Sequence, residues 1–142
     1  MNQLNVDFGL VEYALGNGVL RFNPADPGLY ARFFTLSHQL EQMQNRLQQG
    51  AEQTTDPAAV LQLLEETDRQ FKELLTRVFG PGNDFFRLLE GVNLLAVAGN
   101  GLCVAENLLE ALEPILLQGA EQFVQAQTNA AREKARLRRE RQ

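Results

Sequence analysis

Two Asp-Pro pairs, Asp26-Pro27 and Asp56-Pro57, each open a long segment with an apolar stripe, and they constrain the fold more than any other feature. Aspartate at an N-cap accepts a hydrogen bond from a free helix amide, and proline at the first helical position removes no donor that the helix would use. The first segment carries Leu29, Phe33, Leu36, Leu40, Met43 and Leu47, spaced 4, 3, 4, 3 and 4. This heptad seam calls for a long helical partner, either in the same chain or in another. The helix is expected to reach about Gln49, with Gly50 as its C-cap. The second segment carries Val60, Leu64, Phe71, Leu74, Leu75 and Val78, and Phe79-Gly80-Pro81-Gly82 stops it. Ala51–Thr55 is too short and polar to do more than turn the chain, so the two helices should fold back as an antiparallel pair.

Upstream, Val6, Phe8 and Leu10 alternate with polar or small residues, and Glu12-Tyr13 follow. Gly16-Asn17-Gly18 supplies residues that tolerate positive φ, and Val19-Leu20-Arg21-Phe22 returns. Residues 1–23 therefore read as a β-hairpin, with Leu20 and Phe22 on one face and Val19 and Arg21 on the other. A lone hairpin is marginal in water, so one face must pack on helices. Downstream, Asn83 or Asp84 can cap a short helix, Phe85 to Glu90. The run Val92–Ala98 between Gly91 and Gly99-Asn100-Gly101 suits either a helix or an extended segment. A last helix should begin near Leu102 and carry Val104, Leu108, Leu112, Ile115 and Leu116. Pro114 is expected to kink it and Gly119 to weaken it. After Val124 only alanines and Leu137 are apolar, which suits a protruding helix or a segment that orders on a partner. The fold class is thus mainly α: the hairpin, a long antiparallel helix pair, a short helix and a C-terminal helix. Residues 1–130 form one domain and residues 131–142 a basic tail.

Charge is split between these parts. Residues 1–130 carry 7 basic and 16 acidic side chains, a net of −9, whereas residues 131–142 carry 6 basic and 2 acidic, a net of +4. An acidic body with a basic tail suits self-association or an electrostatic contact with a partner. It does not suit a duplex DNA binder, whose basic footprint belongs on the folded face. Cys103 is the single cysteine, so no intramolecular disulfide and no oxidising compartment is required. The opening MNQLNVDFG lacks the basic-then-apolar pattern of a signal peptide, and the longest apolar run, Leu94–Ala98, is too short to span a bilayer. The cytoplasm is the expected location, with no membrane partner.

No residue pattern assembles catalytic chemistry. His38 is the only histidine, and Ser37 is the only serine. With no second histidine and no nearby cysteine, His38 cannot build a zinc site and reads as a helix-surface residue. Cys103 reads as a small buried hydrophobe. Glu65, Glu66, Asp68 and Glu73 lie three or four residues from Arg69 or Lys72, the spacing of an ion-paired, solvated helix face. Glu106, Glu110 and Glu113 put three carboxylates on one helix face, without the histidines that helical metal sites add. A solvent-facing or subunit-facing stripe is the better reading. Gly16-Asn17-Gly18 precedes a strand, and Gly80-Pro81-Gly82 lacks a following Lys-Ser/Thr, so neither is a phosphate loop. Arg132, Lys134, Arg136, Arg138, Arg139 and Arg141 have no interleaved aromatic on which a base could stack, so nucleic acid is not the expected partner. No cofactor, metal or catalytic residue is expected, and the chain reads as a binding protein.

The order of its short motifs is informative. Phe8-Gly9-Leu10-Val11-Glu12-Tyr13 leads through the hairpin to Phe22-Asn23-Pro24-Ala25-Asp26. Two long helices end in Val78-Phe79-Gly80. Leu88–Asn93, Leu95–Ala98 and the Gly-Leu-x-Val-x-x-Asn-Leu-Leu stretch from Gly101 to Leu109 follow. This series resembles the small tail assembly chaperones of long-tailed bacteriophages and of prophages in Gram-positive bacteria. The likeness spans nearly the whole chain, although Cys103-Val104-Ala105 stands where relatives carry Pro-Val-Trp. It implies a factor that coats the tape-measure protein in the cytoplasm of a bacterial host until tail tube protein polymerises around it. A structural tail completion or connector component is the alternative, and a nucleic-acid-binding regulator using the basic tail is a weaker one. The candidate contact residues are the seam Leu29, Phe33, Leu36, Leu40, Met43 and Leu47, the apolar Phe85, Phe86, Leu89 and Leu94, and the basic Arg136, Arg138 and Arg139. An unpaired seam also predicts a homo-oligomer.

Overall fold

The computed structural model describes residues 1–141. Two strands, β1 (Val11–Leu15) and β2 (Gly18–Phe22), precede α1 (Pro27–Glu52), α2 (Pro57–Phe79), the one-turn α3 (Phe85–Leu88) and α4 (Val104–Arg141). The fold is mainly α with an N-terminal antiparallel hairpin, as the patterning requires.

Both Asp-Pro starts act as caps. The Asp26 carboxylate accepts from the Gly28 amide at 2.8 Å, and Asp56 accepts from Ala58 at 3.0 Å. α1 runs through Gly50 and ends at Glu52. Gly50 is a packing position, not a C-cap: a Cβ built there would lie 2.5 Å from Leu63 Cδ2 on α2. The two helices are antiparallel, since Arg32 near the start of α1 donates from Nε to the Val78 carbonyl near the end of α2 at 3.1 Å. α4 also lies antiparallel to α1, because Gln44 near the end of α1 donates to Glu106 near the start of α4 at 2.8 Å. α1 thus packs on both long neighbours, and its seam faces them.

The hairpin is shorter than the alternation suggests. Val11 pairs with Phe22, and among the described residues nothing upstream has a strand partner. The physical reason is β2. It stops at Phe22, and Asn23-Pro24 turns the chain into α1 before a longer ladder can form. Val6, Phe8 and Leu10 therefore lie outside the sheet. The turn is the two-residue loop Gly16-Asn17, with positive φ at Gly16 alone, the pattern of a II′ turn. Leu20 and Phe22 are buried, and a chain of aromatic contacts leads inward from Tyr13 through Phe22 and Phe79 to Phe33 and Phe85. Asn83 closes the outer edge of β2: its side chain accepts from the Arg21 amide at 2.8 Å and donates to the Arg21 and Phe79 carbonyls, each at 2.9 Å.

Val92–Ala98 is neither helix nor strand. It is held by backbone bonds from Val104 to Ala96 and from Ala105 to Leu94, with one bridge between Val97 and Cys103. A buried ion pair fixes it to α2. Lys72 Nζ lies 3.0 Å from Asp68 and donates to the Val92 carbonyl at 2.7 Å, while Asp68 accepts from the Leu94 amide at 2.8 Å. The acidic face of α2 is thus divided: Arg69 pairs with Glu66 and Glu73 at the surface, but Asp68 and Lys72 are structural. α4 is one helix through both Pro114 and Gly119. Gly119 is buried where the helix meets the turn before α1, and its missing side chain is what allows that contact. Beyond it the helix continues into the exposed basic segment, so the protruding-helix alternative describes residues 120–141.

Candidate functional site

The predicted contact residues fall into three groups. Leu29, Phe33, Leu36, Leu40 and Met43 are buried in the protomer's own core, and Leu47 is half-buried against α2. A contact surface on this seam is therefore corrected. α2 covers one flank and Leu109, Leu112 and Leu116 of α4 help cover the other, so the seam's partner is intramolecular. The seam gives no ground for a second copy. Phe85, Leu89 and Leu94 are also buried and fall under the same correction; Phe86 remains exposed. Their burial follows from the Asn83, Asp68 and Lys72 bonds, which draw this region onto α2 and β2. Arg136, Arg138 and Arg139 are exposed on the last turns of α4, where Arg136 bonds to Glu133 at 2.6 Å and Glu140 at 2.9 Å.

Two surfaces remain open. The first is the N-terminal arm, residues 1–10. Leu4, Val6, Phe8 and Leu10 are each more than half exposed and occur at every second position. Where the chain is extended, up to the turn at Gly9, that period puts Leu4, Val6 and Phe8 on one side. The arm turns at Gly9, where φ is +69° and the amide donates to the Asp7 carboxylate at 2.8 Å. Phe8 and Leu10 border a hollow of about 310 Å³ with Phe22, Leu29, Arg32 and Phe79. Among the described residues no strand pairs with the outer edge of β1 beside it.

The second surface is a groove between α1 and α4. Its wider part, about 460 Å³, is lined by Tyr30, Phe33, Phe34, Ser37 and His38, with Glu41 and Glu113. A narrower part of about 210 Å³ continues past Leu40 and Leu109 to Gln44, Glu106 and Glu110. The Glu106, Glu110 and Glu113 stripe thus forms one rim of the groove. Among the described residues no group of three or more His, Cys, Asp or Glu is arranged to hold a metal ion. Cys103 sits at the groove's end, where Gln44 Nε2 approaches its Sγ at 3.5 Å. Burial pushes the Cys103 thiol up; the Glu106 backbone amide opposes that shift, and the Glu106 carboxylate adds to it.

Tyr30, Phe34 and Glu41 escaped the sequence reading because they lie beside the heptad seam. Their signal was present as a second stripe on α1, Tyr30, Phe34, Ser37 and Glu41, spaced 4, 3 and 4. Leu4 was missed because the alternation was assigned to a paired strand. Compared with protein families, curated proteins and solved structures, the chain matches none. No helix among the described residues is long and apolar enough to cross a membrane.

Proposed function

We propose that this protein is a tail assembly chaperone of a phage or prophage, a binding factor and not an enzyme. In the host cytoplasm it would hold the long tape-measure protein until tail tube protein displaces it. The observation that carries this reading is the N-terminal arm. Four large apolar side chains alternate along an unpaired segment and find no place in the protomer's core. Several large apolar side chains left exposed on one short segment mark an interaction site in a soluble protein. A helical, apolar client would aggregate unless its stripe were covered, and an extended arm can lie along it. Release requires contacts that are individually weak, because dissociation must be fast enough for the tube to grow. A short arm meets that need better than a deep pocket.

Co-expression with a tape-measure protein from the same phage or prophage tests the proposal. The client should be recovered in soluble form only with this chain. Replacing Leu4, Val6, Phe8 and Leu10 by serine should return it to the pellet. A client that is soluble alone, or one that stays insoluble beside the intact chain, refutes the role. Solubilisation by the serine variant would remove the arm from it.

A further inference from the structure

We infer that the distal half of α4 docks in the α1–α4 groove of a second copy of this chain. The inference rests on charge and geometry alone and stands independently of any client. The groove's rim carries Glu41, Glu106, Glu110 and Glu113, and none of these four joins an ion pair among the described residues. Among the described residues, no lysine or arginine lines either part of the groove. The wider part presents Tyr30, Phe33 and Phe34, and Phe34 at its edge is 71% exposed. The fitting occupant is a basic helix with a narrow apolar face.

The chain itself carries one. From Arg132 to Arg141 the helix presents six basic side chains, and its two carboxylates, Glu133 and Glu140, are both engaged by Arg136. Among the described residues, Arg132, Lys134, Arg138, Arg139 and Arg141 join no ion pair. Phe123, Ala126, Ala130 and Leu137, spaced 3, 4 and 7, lie on one face, and the alanines permit close approach. The lengths also agree. Tyr30 to Gln44 covers about 21 Å of α1, and the face from Phe123 to Leu137 also covers about 21 Å of α4, at 1.5 Å per residue.

The occupant must come from another molecule. α4 is a single helix about 57 Å long, and its own proximal half is one wall of the groove. Residues beyond Gly119 extend about 33 Å further along that helix and cannot re-enter the groove beside its start. A contact between two different patches joins copies head to tail, producing rings or filaments, unless two copies exchange helices reciprocally.

The test uses the purified full-length chain. Sedimentation velocity across a concentration series should show self-association that weakens as salt is raised. One variant reverses the helix (Arg132→Glu, Arg138→Glu, Arg139→Glu) and another reverses the groove (Glu106→Lys, Glu110→Lys, Glu113→Lys). Each alone should weaken association at least about tenfold, since like charges then face each other. Mixed together they should associate again, because the reversed helix meets the reversed groove. Circular dichroism melts confirm that each variant is folded. If a reversed variant does not fold, Phe34→Cys with Leu137→Cys in a Cys103→Ser background reports the contact as an intermolecular disulfide. A protein that stays monomeric at high concentration overturns the inference. So does an oligomer indifferent to both reversals, or a mixture that fails to reassociate, or the absence of that disulfide.

Discussion

Replacing Gly119 by alanine separates two physical effects of opposite sign. Glycine in a helix interior costs about 1 kcal/mol relative to alanine, so propensity alone predicts a gain for Gly119→Ala. The tertiary contact predicts a loss. A Cβ at this position would lie 1.8 Å from the Pro24 carbonyl oxygen and 2.2 Å from its carbon. Ordinary contact would require α4 and the turn to part by more than 1 Å. The turn cannot easily yield: the Asp26 amide donates to the Asn23 carbonyl at 3.1 Å, the Ala25 amide donates to the Asn23 side chain at 2.9 Å, and Pro24 fixes its own φ. Overpacking typically costs about 1–3 kcal/mol and more against rigid backbone, so the upper end applies. The net effect should be a destabilisation of about 2 kcal/mol, or about 6–8 °C in Tm for a chain of this size. Gly50→Ala is the matched control. Its Cβ would meet only the end of the Leu63 side chain, which can rotate, so the propensity gain should largely survive and leave stability level or slightly raised. Urea denaturation of both variants decides the matter. Equal stabilities for the two, or a Gly119→Ala protein as stable as the parent, would refute the reasoning.

Four further outcomes are expected. Lys72→Met should cost about 2–3 kcal/mol by urea denaturation, because the Asp68 side chain, 15% exposed, loses its buried partner, and amide exchange should quicken at Leu94. Asn83→Ala should cost about 2 kcal/mol on the same assay, since it strips partners from the Arg21 amide and from two carbonyls. Deleting residues 1–8 should alter stability by less than about 0.5 kcal/mol while abolishing client recovery, because every residue removed is exposed. The Cys103 thiol should alkylate slowly with a rate–pH midpoint above the ordinary 9.0. The folded state holds that proton more tightly, so its contribution is present at neutral pH and is lost as pH rises through the folded thiol's raised value. Cys103→Ala should remove that part of the alkaline loss.

Much of the architecture follows from local chemistry. Asp26-Pro27 and Asp56-Pro57 start helices wherever a chain places them, because capping and the fixed φ of proline act within three residues. The turn at Gly16-Asn17 and the stop at Gly80 are local in the same way. The 4-3 spacing of Leu29 to Leu47 required a partner for that stripe, but periodicity does not say whose chain supplies it.

Tertiary structure decided that question and several others. α2 and α4 enclose the seam, and this moved the exposed apolar surface from α1's heptad to the N-terminal arm and to Phe34 on the second stripe. The arm stayed free because β2 ends at Phe22, a fact about its pairing partner and not about the alternation of Val6, Phe8 and Leu10. Gly119 looks like a weak point when only helix propensity is counted and becomes a required contact once Pro24 lies against it. Propensity and capping depend on neighbours within one turn. Burial depends on residues far away in the chain, and for Gly119 the two act in opposite directions.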